Sequence, residues 1–253
     1  LLEHGFLRVG WVAHIILNSS PFEEGAIWIG FIVSFLQRSL IHGKPEYGQD
    51  VLAYRLARLD ATWGSGTLIQ IDVTCNGIGK NSHSLWYQIA KHLDSLDNIE
   101  RNVLARKICQ RWASQDVVIV IDKVDYMDTH LFCSFIDDFW KSIAETAQPC
   151  LETAKRHLIL FLIDHSGMMV TSGIRFSRTL DEFLKSYIPI SLPRVECFSE
   201  DDLKYCRNSN FEMLSDLMPS ELLIATENGI PHRVYDVICN HCGFSWEGEI
   251  KRV

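Results

Sequence analysis

The stretch Ser39–Asp60, SLIHGKPEYGQDVLAYRLARLD, decides how this chain is read: a short apolar strand runs into a glycine loop, and the loop opens into a helix. Gly43 and Gly48 stand at the spacing of a phosphate-binding loop, G-x-x-x-x-G-K-[ST]. In that pattern backbone N–H groups cradle the phosphates, the lysine reaches the β and γ groups and the hydroxyl holds magnesium. The two residues that follow the second glycine depart from it, with Gln49 in the lysine position and Asp50 in the Ser/Thr position. An ammonium bonded to phosphate contributes about 1.5–3 kcal/mol, which a neutral amide cannot replace. A carboxylate about 4 Å from one phosphate charge is repelled by about 4 kcal/mol at an effective dielectric near 20. The expectation is a frame shaped for a triphosphate that no longer grips one. Two routes to retained binding stay open, with Asp50 as a direct oxygen ligand of Mg²⁺ or with Lys44 folded back over the phosphates. Tyr47 is a candidate plug of the phosphate space, or else a surface aromatic.

A second stretch, Asp116–Asp125 (DVVIVIDKVD), carries five consecutive β-branched residues, Val117 to Ile121, the mark of a parallel strand buried on both faces. Asp122 ends it where a Walker B aspartate would hold magnesium. The glutamate expected nearby to orient water is replaced by Lys123, Val124, Asp125 and Tyr126. Thr67–Val73 and Leu158–Ile163 read as further strands, and Tyr187–Leu192 as a last one whose flanking Pro189 and Pro193 suit an edge. Asp164-His165-Ser166 follows the fourth strand, and His165 is the candidate for sensing a γ-phosphate. The opening stretch to Gln37 reads as helical. Helices are expected over Ser82–Asp94 and Leu96–Trp112, with Leu85, Ile89, His92 and Leu93 sharing a face, and over about Thr129–Thr146. Strands alternating with helices specify a mostly parallel sheet with right-handed crossovers.

After Phe198 the composition turns helical. Ser199 and Asp202 form a cap, Phe198 can staple to Leu203, Ser220 is a second cap, and Pro231 fits the first turn of a helix. Cys75–Ser82 contains Gly79-Lys80 ahead of a helix, but Thr74 stands where the first glycine belongs and Asn81 replaces the hydroxyl, so it reads as a decoy. Cys239 and Cys242 have the spacing of half a zinc site with no second close pair.

Over 253 residues, 47% hydrophobic and 22% charged content are globular values. The net charge of −8 and the lack of any Lys/Arg-rich run argue against a nucleic-acid partner. The eight cysteines fit a reducing cytoplasm better than a disulfide framework. The apolar run Ala26–Leu36 is too short for the ~20 residues of a spanning helix, so no membrane partner is expected. The first residue, Leu1, suggests a piece of a longer protein.

Together HGKPEYGQDVLAYRL, VVIVIDKVD and ENGIPHRVYDVI, in that order, resemble the STAND branch of the P-loop NTPases, and particularly its bacterial inactive offshoot, over about Ser39–His241. The resemblance implies an α/β, P-loop NTPase-like, mostly parallel five-stranded sheet flanked by helices, with a small C-terminal helical segment. It divides the chain into an N-terminal helical segment (1–37), the core (38–195) and a helical subdomain (196–253). It also implies a vestigial Walker A in Gly43, Lys44, Gly48, Gln49 and Asp50, a vestigial Walker B in Asp122 and Asp125, and a G-x-P motif in Gly229 and Pro231. The implied role is an interaction and regulatory domain, not an enzyme, whose partners are other domains or subunits of a signalling or defence assembly. No cofactor is expected; the alternative is a slow ATP-dependent switch that binds ATP or ADP with magnesium.

Overall fold

The structure, a computed structural model, describes residues 36–57, 66–153, 155–177, 187–192, 194–209, 214 and 216–243. Its centre is a parallel sheet of β1 (Leu36–His42), β2 (Thr67–Asp72), β3 (Val117–Asp122), β4 (Leu158–Asp164) and β5 (Ile190–Ser191), in the order β2-β3-β4-β1-β5. The strand ending in Asp122 thus lies one strand away from the strand that enters the glycine loop. Helices α1 (Gln49–Ala57), α2 (Ser82–His92), α3 (Arg101–Trp112), α4 (Thr129–Ser134) and α5 (Lys141–Ala147) accompany the sheet, and α6 (Glu200–Ser209), α7 (Pro219–Ala225) and α8 (Pro231–His241) follow it.

Every residue from Val117 to Ile121 is buried, as the uninterrupted β-branched run requires, because both faces of the strand are covered. On one face Ile69, Ile71, Ile119, Ile121, Leu160 and Leu162 pack with Trp86, Phe132, Phe135, Phe139 and Trp140. On the other, Val118, Val120, Ile159, Phe161 and Ile163 pack with Leu52, Ala53 and Leu56 of α1. Each such side chain contributes roughly 1.5–3 kcal/mol of burial before entropy is subtracted. β2 is an edge strand with one covered face, and Leu68 on its open face is 41% exposed.

Local chemistry sets the ends of the helices. Asn81 caps α2 by accepting from the His83 N–H, and Asp128 caps α4 by accepting from His130 and Leu131. At α6 the Asp202 N–H donates to the Ser199 hydroxyl at 3.2 Å while the Ser199 N–H donates to the Asp202 carboxylate at 2.7 Å, a reciprocal capping box. Phe198 and Leu203 are buried in one cluster, as the staple requires.

Several expectations need correction. β1 begins at Leu36, taking in two residues that the pattern assigns to the preceding helical stretch. His92 is exposed and leaves the inner face to Leu85, Ile89 and Leu93. The helix expected from Leu96 starts at Arg101, because the Ser95 hydroxyl donates to the Asn98 carbonyl and the Asn98 side chain accepts the Glu100 N–H, which makes a turn of that segment. The helix after Thr129 passes through a π-turn, Phe135–Trp140, whose wider winding buries four bulky side chains in six residues. The last strand shortens to Ile190–Ser191, paired with β1 only at Ser39 and Leu40. Ser220 is no cap, since Pro219 already occupies the first turn of α7. Pro193 and the N-terminal stretch before Leu36 lie outside the described residues.

Candidate functional site

The site sits at the carboxyl ends of the strands, where open α/β sheets place their ligands. Register brings Asp72 opposite Asp122, and His42 opposite Asp164, along this edge. The loop from Gly43 to Gly48 crosses it between β4 and β5, held by Gly43 N–H to the Asp164 carbonyl at 3.3 Å and by the bridge from Gly43 to Val195. Gly48 is buried at φ 75°, the left-handed turn that lets the loop enter α1 and that favours glycine.

Inside this loop lies the side chain of Gln49, which is 0% exposed. Its Nε2 donates to the Lys44 carbonyl at 2.8 Å across the loop. It also lies so close to Gly43 that a Cβ there would come within 2.8 Å of Nε2. Its Oε1 is buried with no hydrogen-bond partner. An unpaired acceptor is what an anion avoids, so the residues present do not fit a triphosphate. Lys44, which could have folded back over phosphate, is exposed. The Tyr47 ring packs against the core cluster under α1, and its hydroxyl accepts from the Cys197 thiol at 3.0 Å. The side chain filling the loop is therefore the glutamine, at the position where the lysine would stand.

The carboxylates of the neighbouring strand ends are met by the chain's own cations. His165 Nε2 is 2.8 Å from Asp122 Oδ1, and the His165 N–H donates to Asp125 Oδ1 at 3.2 Å. Burial pulls the imidazole pKa down, but the Asp122 hydrogen bond and the charges of Asp122, Asp50 and Asp125 outweigh it and hold it above the ordinary value. Lys123 Nζ donates to Asp72 Oδ2 at 2.7 Å, which raises the ammonium's pKa. Burial pushes the Asp72 carboxyl up, yet Lys123 and Thr74 overcome it and keep it low. Lys123 adopts φ 59°, a left-handed conformation that costs a non-glycine residue about 1 kcal/mol and is offset here by the ion pair. Asp164, 0% exposed, turns back into its own loop and accepts from the N–H groups of Ser166, Gly167 and Met169 at 2.7–2.9 Å.

Above the loop stands the start of α8. Gly229 has φ 82°, and a Cβ there would lie 2.2 Å from the Phe198 carbonyl oxygen. Its own carbonyl accepts the Phe198 N–H at 2.9 Å, so this glycine belongs to a backbone crossing. Pro231 is buried in the first turn of α8. The His232 N–H donates to the Glu46 carbonyl at 3.0 Å, Arg233 Nη2 reaches the Glu46 carboxylate at 3.0 Å, and Arg233 Nη1 pairs with Glu227.

The decoy turn is closed. The Gly79 N–H donates to the Val73 carbonyl, and a Cβ at Gly79 would lie 2.7 Å from the Tyr126 carbonyl oxygen, which leaves no cradle. Cys239 and Cys242 are half-buried, and among the described residues no group of three or more His, Cys, Asp or Glu converges as metal ligands. No described helix is long and apolar enough to cross a membrane.

Asp72, Lys123, Glu46, Glu227 and Arg233 were not singled out by sequence reasoning. The signal available for Asp72 is its place at the end of a strand parallel to the one that ends in Asp122.

The fold and the loop define the class, an α/β domain of the P-loop type. Among solved structures it resembles a Walker-type ATPase of Pyrococcus abyssi, with TM-score 0.53, 11% identity, and coverage of 91% of this chain and 69% of that one. It also resembles Cdc6p of Pyrobaculum aerophilum, with TM-score 0.51, 12% identity, and coverage of 90% of this chain and 63% of the other, so the chain spans less than two thirds of that protein. At such identities the likeness concerns the fold alone. No curated protein matches the chain in sequence. The sequence model of the family described as inactive STAND matches residues 37–164, and the chain belongs to that family.

Proposed function

We propose that this domain is a nucleotide-independent scaffold, an interaction and regulatory module within a multidomain bacterial signalling or defence protein in the cytoplasm. It retains the P-loop architecture and has no turnover. One observation carries the reading: the Gln49 side chain occupies the loop, bonded across it to Lys44 and pressed against Gly43. The strand-end cluster supports it. Asp50, Asp122 and Asp125 act on His165, and Asp72 and Asp122 on Lys123, so carboxylates gather where a polyphosphate would lie and repel it. With the loop filled, the domain offers its surfaces to other domains or subunits, and a fold of this type serves as a rigid mount for them.

The alternative is an ATP-dependent switch with ATP or ADP and magnesium. The preserved backbone frame favours it, since Gly43 and Gly48 keep the loop shape. The reverse substitution separates the two. Replacing Gln49→Lys together with Asp50→Thr removes the amide bonded across the loop and supplies a cation and a hydroxyl, and the scaffold reading expects ATP affinity to rise by at least about tenfold over the parent chain. Equal, tight binding by both proteins would establish the switch instead.

A further inference from the structure

The loop and the C-terminal helices are joined by contacts that the scaffold reading does not use. Glu46, at the tip of the loop, has φ 67°, a left-handed conformation in which a non-glycine residue is strained. Two groups on α8 hold it there: the His232 N–H on its carbonyl at 3.0 Å, and Arg233 on its carboxylate through Nη2 at 3.0 Å and Nε at 3.3 Å. The same guanidinium pairs with Glu227, in the turn that precedes α8. Two residues further on, the Tyr235 ring lies over the loop, 3.4 Å from where a Cβ at Gly48 would stand. Beneath them Val51 of α1 packs with Phe198, Leu203, Leu222, Val234 and Tyr235.

We propose that Arg233 is a charge latch that shuts the C-terminal helical layer onto the phosphate loop. The division of labour follows from the physics. The apolar cluster gives adhesion without direction, whereas the guanidinium fixes where α8 sits on the loop, because its planar fork spans carboxylates on both sides of the junction. The side chains of Arg233, Glu46 and Glu227 are 36%, 52% and 66% exposed, so the pairs are within reach of salt and of competing charges. Opening the latch frees Glu46 from its left-handed conformation, so that the loop relaxes as the layer lifts. The loop and the layer then change together, and whatever competes for Arg233 moves both. This device stands whether or not the loop admits nucleotide.

Amide hydrogen exchange on the whole chain tests it, with the amides of His232, Tyr47 and Leu52 as reporters, since these bond to Glu46, Lys44 and Gly48. Amides of β3 serve as the reference. Arg233→Ala and Glu46→Gln are each expected to speed the reporters by about threefold or more while β3 is unchanged. Exchanging all three charges, Glu46→Arg and Glu227→Arg with Arg233→Glu, is expected to return them to within about twofold of the parent. Raising salt to about 1 M should open the parent's reporters in the same way. Should Arg233→Ala fail to fold, Glu46→Gln, which leaves α8 intact, decides the matter with the salt series. Unchanged reporters in Glu46→Gln, indifference to salt, or a rise shared equally by β3 overturns the latch.

Discussion

The glycine loop after β1 and the strand-end carboxylates beside it both lie where a nucleotide and its metal would bring charge in a P-loop fold, and the chain furnishes the two places in opposite ways. In the loop a neutral amide, Gln49, takes up the space and bonds to the backbone that would have faced phosphate. At the strand ends the protein supplies its own cations, His165 for Asp122 and Lys123 for Asp72. The first replacement is steric and indifferent to solution conditions, whereas the second is electrostatic and must respond to pH and to neutralising substitutions.

The difference is sharpest in Gln49→Ala. It removes the bond to Lys44 and leaves a void beneath the loop, and it is expected to lower the unfolding free energy by about 2–3 kcal/mol, read from urea denaturation, equally at pH 6 and pH 8. Asp122→Asn keeps the shape of the strand end but discharges it. It should cost about 1–2 kcal/mol at pH 6, and less as the pH climbs through the raised pKa of the His165 imidazole. In the parent chain the folded pKa of His165 is raised above 6.5, so its contribution is complete below that value. That contribution is lost as pH climbs through the folded pKa. Stability should therefore fall as pH rises from about 6.5, and His165→Gln should flatten that part of the curve. The smallest effect belongs to Lys123→Gly, where relief of the left-handed strain and loss of the Asp72 pair nearly cancel. Its change should stay within about 1 kcal/mol.

The frame of this molecule can be read from one dimension, and its site only in part. Val117–Ile121 announces a central strand because burial on both faces suits five β-branched residues in a row, and the two glycines mark the loop because Gly48 turns left-handed and a Cβ at Gly43 would meet Gln49 and the Val195 carbonyl. The identity of Gln49 and Asp50 reveals that the lysine and hydroxyl are gone, but not that the amide turns inward. That depends on the close approach of Gly43 and Val195, set by β5 far along the chain. The partners of the charges are hidden for a similar reason. Asp72 meets Lys123 across 51 positions, and Glu46 meets Arg233 across 187. No periodicity records such pairings, which follow from strand register and from how α8 settles on the loop. Local competition explains the smaller misses, since Asn98 forms a turn where helical spacing continues, and Pro219 claims the first turn of α7 ahead of Ser220.

The central claim, that Gln49 keeps the loop filled, is tested most directly by calorimetric titration of the unmodified chain with ATP and magnesium. The account predicts no saturable heat up to about 1 mM nucleotide, an affinity weaker than about −4 kcal/mol of binding free energy. Saturation in the micromolar range, with one nucleotide bound per chain, would contradict it.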